Sequence, residues 1–188
     1  MDHLTFLSRR LSVPSGQLAA PGPSRDQLQQ MLAAAMRVPD HGRLAPWRVL
    51  AIEGEGRHAL GEFLAQRALE LNPQAAQATL DKDRRRFSHA PLVLAVAARL
   101  QQPSRIPEIE QILSAGCVCF TLLQAAQALG FGGQWLTGWA AYDPAVAAHL
   151  GLAGNERIVG FIHVGSIREP ASERPRPAVE AHFSVWQG

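Results

Sequence analysis

The sequence predicts a protein of the α+β or three-layer α/β class, built on one sheet with helices on both faces. Three observations point there. Strand-like runs at 47–52, 91–99 and 157–167 are separated by segments of helical periodicity, the pattern of a sheet packed between helices. The run PLVLAVAAR, opened by Pro91, is almost continuously apolar, as a strand buried on both faces requires. Residues 107–129 are apolar nearly all round after Ile112, so this helix must be enclosed by the rest of the fold or by a second subunit. With 188 residues the chain suffices for a single domain, 1–188, with a substantial core.

In chain order, a short helix is expected over residues 2–9. Pro14, Gly16, Pro21, Gly22 and Pro23 then impose an extended, irregular segment. Ser24 is a good N-cap, and Leu28, Met31, Leu32, Ala35 and Met36 recur at helical spacing until Pro39 ends the pattern. PDHGRLAPW, residues 39–47, is the loop after this helix, and WRVLAI, 47–52, is a strand running into a turn at Gly54-Glu55-Gly56. A helix over 57–71, a break at Asn72-Pro73 and a polar helix towards Phe87 lead to the strand at 91–99. The long helix at 107–129 opens on Glu108 and Glu110, acids suited to a helix N-terminus. After it, QWLTGWAA, 134–141, reads as a strand, Asp143-Pro144 as a helix start, and 157–167 as the last strand. A tail rich in proline and charge follows.

Lys and Arg number 18 against 16 Asp and Glu, a formal charge of +2, with 47% hydrophobic and 18% charged residues. Charges so nearly balanced argue against nucleic acid as a ligand. Little charged surface leaves apolar surface in search of a partner. The basic run Arg84-Arg85-Arg86 reads as a solvated helix end. No charge occurs from Gln111 to Tyr142, but Ser114, Thr121, Gln124, Gln127 and Gly130 break the stretch, so it reads as a buried helix and not a membrane span. Cys117 and Cys119 point about 200° apart on a helix and read as small buried hydrophobes in a reducing compartment. The N-terminus has no apolar run of signal-peptide length, so the expected location is cytoplasmic.

No phosphate-binding P-loop, HExxH, GxSxG, CxxC or strand-borne GxGxxG is present, and the seven histidines show no metal-ligand spacing. What remains is a set of basic residues on irregular segments: Arg9 and Arg10 after the first helix, Arg37 after the second, then His41 and Arg43 in the loop. A guanidinium donates in a fixed fork and keeps its charge, which suits a phosphate. Capping of helix C-termini would use the same arginines. In Gly130-Phe131-Gly132-Gly133-Gln134-Trp135, glycines would let the backbone approach a flat ligand, or, at Gly130, simply cap the helix.

These stretches together resemble the nitroreductase family of FMN-dependent dimeric flavoproteins, and within it the small YdjA-like branch. The resemblance runs through RRLSVPS, MRVPDHGRLAPWRVLAIEGEGR, HAPLVLAVAAR, SAGCVCFTLLQAAQALGFGGQWLTG and IVGFIHVG, in that order; MRVPDHGRLAPW and GFGGQW are its specific parts. It implies a nitroreductase-like three-layer sandwich with a central, mostly antiparallel sheet, assembled as a homodimer with FMN in a cleft built by both subunits. On this pattern Arg9, Arg10 and Leu11 contact the flavin, Arg37 and His41 lie in the same site, and Gln134, Trp135 and Leu136 come from the strand beside it. Where the family usually has RRS this chain has RRL, so a hydroxyl contact is lost at Leu11 unless Ser12 supplies it. Arg43 stands where many relatives carry an Asn facing the isoalloxazine. The implied activity is ping-pong hydride transfer from NAD(P)H through FMN to a nitroaromatic, quinone or similar flat acceptor. The alternatives are a non-catalytic dimer that sequesters FMN and an enzyme with FMN itself as substrate.

Overall fold

The computed structural model describes residues 2–188; Met1, the first residue of the expected domain, lies outside them. Five strands form the sheet: β1 (Leu18–Ala19), β2 (Trp47–Glu53), β3 (Leu92–Arg99), β4 (Gly132–Leu136) and β5 (Glu156–Ile167). Their order is β1-β5-β3-β2, with β4 also paired to β5, and every pairing is antiparallel. The helices are α1 (His3–Ser8), α2 (Arg25–Ala35), α3 (Glu55–Leu71), α4 (Gln77–Arg84), α5 (Glu108–Ala128) and α6 (Pro144–His149).

Side-chain alternation on β3 and β5 divides the core into two layers. Leu92, Leu94, Val96, Ile162 and Val164 pack against Met31 and Ala35 of α2 and Val118, Cys119 and Leu122 of α5. Val93, Ala95, Ile158 and Phe161 pack against Leu60 and Leu64 of α3, Phe87 and Val146. The continuous apolar run of β3 thus reflects helices on both faces, although its neighbours are antiparallel.

Local chemistry explains most boundaries. Ser24 and Gln27 form a reciprocal capping box at the start of α2, and Asp143 accepts from the N–H groups of Ala145 and Val146 ahead of Pro144. Two boundaries differ from expectation. The predicted turn at 54–56 is a helix start, because Gly54, at φ 54°, is the N-cap and α3 begins at Glu55. β4 stops at Leu136, since Gly138 takes φ 65° and Trp139–Ala141 turn into a short 3-10 helix. The basic run is also less solvated than expected. Asp83 is buried and accepts from Arg86 at 2.5 Å and from the Trp139 indole at 3.1 Å, clipping that turn to α4.

Helix α5 is not enclosed by the rest of its own chain. Ala115, Val118, Leu122 and Ala126 are buried, but Ile109, Leu113 and Phe120 are 59%, 61% and 46% exposed on the opposite side. Cys117 lies on that exposed side too, correcting the expectation that both cysteines are buried; Cys119 is buried, which pushes its thiol pKa up to about 12.

His163 on β5 is wholly buried, stacked on Phe87 with ring centroids 5.8 Å apart. Neither ring nitrogen has a hydrogen-bond partner among the described residues. Burial, aided by His89 and Arg86, pushes its pKa from 6.5 down to about 4. Above pH 6.5 the ring is neutral folded or unfolded and contributes nothing to pH dependence. Below it the unfolded chain takes up a proton that the folded chain refuses, so stability falls as pH drops towards 4, by up to about 3 kcal/mol. His163→Phe should therefore lose about 2–3 kcal/mol less than the wild type between pH 7 and pH 4.5 in urea unfolding; equal losses would show that His163 does not set the acid limb.

Candidate cofactor site

Beyond α1 the chain turns at Arg9 and runs without regular secondary structure through Arg10-Leu11-Ser12-Val13, with alternate side chains lining two different hollows. The Val13 N–H donates to the Gly133 carbonyl at 3.0 Å, and the Ser15 N–H donates to the Gln134 side-chain oxygen at 2.6 Å, stitching this segment to β4. Arg10 and Ser12 share one side, where the guanidinium donates to the Ser12 hydroxyl at 3.2 Å. With Phe120, Leu123, Trp135 and Thr137 they line a hollow of about 410 Å³. Arg9 and Leu11 face a smaller hollow of about 250 Å³ with Val13, Phe131 and Ile167. Of the tripeptide predicted to touch a ligand, only Arg10 meets Trp135.

Trp135, paired in register with Ile162, reaches its place because Gly160, two residues away on β5, leaves room for its indole. A Cβ at Gly160 would overlap the indole ring, whose N–H donates to the Val159 carbonyl at 3.3 Å. Gln134 is occupied with Ser15, and Leu136, the last residue of β4, pairs with Phe161 in register. The glycines before them serve packing. Gly130 takes φ 83° at the helix end, and Cβ atoms at Gly132 and Gly133 would lie 2.7 Å from Leu18 and 2.9 Å from Leu123. Leu18 and Leu123 take up room beside these glycines, and what stays open is the hollow of about 250 Å³ that Gly132 and Gly133 help to line.

The loop at 39–47 is held as tightly. The Asp40 carboxylate accepts from the N–H groups of Leu44 at 3.1 Å and Ala45 at 2.8 Å. That clasp holds Arg43 and Ala45 at φ 56° and 45°, left-handed values costly for residues with a Cβ. Pro46 is buried and the Trp47 indole donates to the Met36 sulfur at 2.9 Å, tying the loop to the end of α2. From α5, the Ser114 hydroxyl donates to the Pro39 carbonyl at 2.6 Å, and Glu110 meets His41 Nδ1 at 2.6 Å. Among the described residues no carboxylate pairs with Arg9, Arg10, Arg37 or Arg43; Arg48, Arg67, Arg84, Arg86, Arg99, Arg157 and Arg176 have one, while Arg25, Arg57, Arg85, Arg105, Arg168 and Arg174, outside the candidate site, also lack one.

Within one chain the loop and the Arg10 hollow do not meet. Ser114, under the loop, and Leu123, beside the hollow, are nine positions apart on α5, about 180° round the helix. Between them runs the exposed stripe of Ile109, Leu113, Cys117 and Phe120. Pro39 and His41, on a segment where Arg37 and Arg43 are also exposed, therefore flank this stripe on one side, and Arg10, Ser12 and Trp135 on the other. A larger hollow, about 810 Å³ between α6 and the start of β5, holds none of the predicted residues. Sequence reasoning missed Phe120 and Thr137 in the hollow and Ser114 and Glu110 under the loop, while Ser12, named there only as a substitute for the hydroxyl missing at Leu11, lines the hollow itself. A serine inside an apolar helix was the one signal available for Ser114.

The two-faced antiparallel sheet and the arginine- and tryptophan-walled hollow on its α5 side define an α+β protein of nitroreductase-like architecture. The chain belongs to the nitroreductase family, whose model matches residues 18–166. It is 38% identical over 172 residues, 92% of either chain, to YdjA of Escherichia coli (strain K12), provisionally named an NAD(P)H nitroreductase. Among solved structures it superposes on a nitroreductase-like family protein from Bacillus cereus with a TM-score of 0.83, covering 100% of this chain and 97% of that one at 21% identity. A nitroreductase with bound FMN from Bacteroides fragilis NCTC 9343 gives a TM-score of 0.73 at 19% identity, covering 100% of both chains.

If Gly160 is glycine to admit Trp135, Gly160→Ala should cost about 1–3 kcal/mol by overpacking. In a Trp135→Ala background the same change should cost less than about 0.5 kcal/mol. Chemical denaturation of the four proteins reads both numbers, and equal costs in the two backgrounds would contradict the packing role.

Proposed function

We propose that this chain is an FMN-dependent oxidoreductase that takes hydride from NAD(P)H and delivers it to a nitroaromatic, quinone or similar flat acceptor. In this reading it is a single domain, 1–188, acting as a homodimer with its cofactor site at the subunit boundary. The observation that carries the reading is the split of the basic residues across the exposed stripe of α5. A second copy packed on that stripe about a two-fold axis that runs along it sets its own loop against this chain's hollow, because that rotation exchanges the two flanks. Burying Ile109, Leu113 and Phe120 supplies part of the drive for association.

The residues fit the cofactor. Arg10 of one subunit and Arg37 of the other bring unpaired guanidiniums to a phosphate monoester. Ser12 offers the hydroxyl that Leu11 lacks, from the next position and the side of the segment that faces the hollow. Arg9 and Leu11 support that segment from its far side, and Gln134 and Leu136 hold the strand that presents Trp135. The indole of Trp135 and the ring of Phe120 provide apolar walls for a flat ring system. FMN, when bound, supplies the chemistry, accepting hydride from the nicotinamide and passing it to the acceptor in a ping-pong cycle. Arg43, exposed in the loop, adds a cation that favours negative charge on the reduced cofactor.

The purified protein should be yellow, with one FMN per chain. Arg10→Ala should weaken FMN by about 1.5–3 kcal/mol, roughly 10- to 150-fold in Kd, and stopped-flow mixing with NADH or NADPH should bleach the flavin absorbance. A flavin reduced by dithionite but by neither nicotinamide would make the protein a binder and not an enzyme; unchanged affinity in Arg10→Ala would remove the phosphate assignment.

A further inference from the structure

The geometry points to Glu110 as a positioning residue for His41, one that turns Nε2 of the imidazole towards the cofactor as an acceptor for its ribityl hydroxyls. This rests on the FMN reading above. A carboxylate can only accept, so the contact of 2.6 Å between Glu110 Oε2 and His41 Nδ1 requires the proton on Nδ1. A neutral ring held this way has its lone pair on Nε2, and the partner of one ring nitrogen sets the role of the other. Nε2 then suits a hydroxyl donor and not a phosphate oxygen, whose charge Arg10 and Arg37 answer.

An exposed histidine–carboxylate contact alone would merit little attention, since such surface contacts contribute little to stability. Here the pair is one of several ties on a short segment. Ser114, one turn beyond Glu110 on the same side of α5, holds the Pro39 carbonyl, and the Asp40 clasp holds Leu44 and Ala45. Gly42, between His41 and Arg43, takes φ 71° and lies against Ile106, which closes the loop's inner side. With the backbone fixed on either side, the ring of His41 retains rotation of its own side chain, and Glu110 is the group that removes it. The side chain of His41 nevertheless stays 62% exposed, so its outer edge is open to a ligand.

The test combines a spectrum of the ring with two flavins that differ only in the phosphate. In flavin-stripped full-length protein carrying ¹⁵N-histidine, with His41 assigned by its loss in His41→Gln, the long-range ¹H–¹⁵N spectrum at pH 8 should show the Nδ1–H tautomer. Glu110→Ala should shift it towards Nε2–H, while Glu110→Gln, whose amide oxygen still accepts, should retain it. Glu110→Ala should weaken FMN and riboflavin alike, by about fivefold, the worth of one net hydrogen bond, and Glu110→Gln should restore both; Arg10→Ala should weaken FMN alone. An unchanged tautomer in Glu110→Ala would overturn the inference, as would a loss confined to FMN, which would put His41 on the phosphate. A tautomer change with no change in either affinity overturns this inference and leaves the cofactor reading standing. A chain that binds neither flavin overturns both.

Discussion

Helix α5 has to satisfy two apolar surfaces with one side chain set, and the rest of the structure is arranged around that constraint. Its inner face, Ala115, Val118, Leu122 and Ala126, closes one side of the sheet against β3 and β5. Its outer face, Ile109, Leu113 and Phe120, remains exposed in the single chain. By length and composition this helix could cross a membrane, yet its inner face is committed to the sheet. An apolar stripe of this kind marks an interaction site on a folded protein. Because the stripe lies between the basic loop and the tryptophan-walled hollow, whatever covers it also decides which chemistry meets which.

The candidate site is made rigid from within each chain. Asp40, Ser114 and Glu110 hold the loop, β4 holds the Arg10 segment through Val13 and Ser15, and Gly160 makes room for Trp135. A site assembled from two such preformed halves needs little reorganisation when a cofactor binds, so less of the binding energy is spent on ordering the protein. The left-handed residues Arg43 and Ala45 fit this picture. Strained backbone persists where surrounding contacts over-determine it, and such places cluster at functional sites.

Much of the fold was legible because its punctuation is strong. The Ser24 cap, Pro39, Pro91 and Asp143-Pro144 mark boundaries by forbidding or rewarding one backbone conformation, and the structure follows them. Gly54 and Gly138 misled because glycine permits both a turn and a cap, and tertiary packing chooses between them. The residue types of the site were legible as arginines in irregular segments and an aromatic after glycines. Their grouping was not. Which way Arg10 and Leu11 point depends on the pairing of Val13 with Gly133, a contact across the fold. Glu110 and Ser114 looked like a helix-end acid and a polar interruption, since their partners lie 69 and 75 positions away in the chain. The exposure of Cys117 escaped for the same reason: periodicity defines the faces of a helix but not which of them the fold covers.

The central claim is that one cofactor site draws Arg10 from one copy and Arg37 and His41 from the other. Co-expression of an Arg10→Ala chain with an Arg37→Ala/His41→Ala chain, each with its own affinity tag, allows the mixed dimer to be isolated and its FMN content measured. A shared site places all the substitutions in one of its two clefts and leaves the other intact. The mixed dimer should hold one tightly bound FMN, half the wild-type content, although both parent homodimers bind poorly. A mixed dimer as poor in flavin as its parents would contradict the account, because each site would then lie within a single chain.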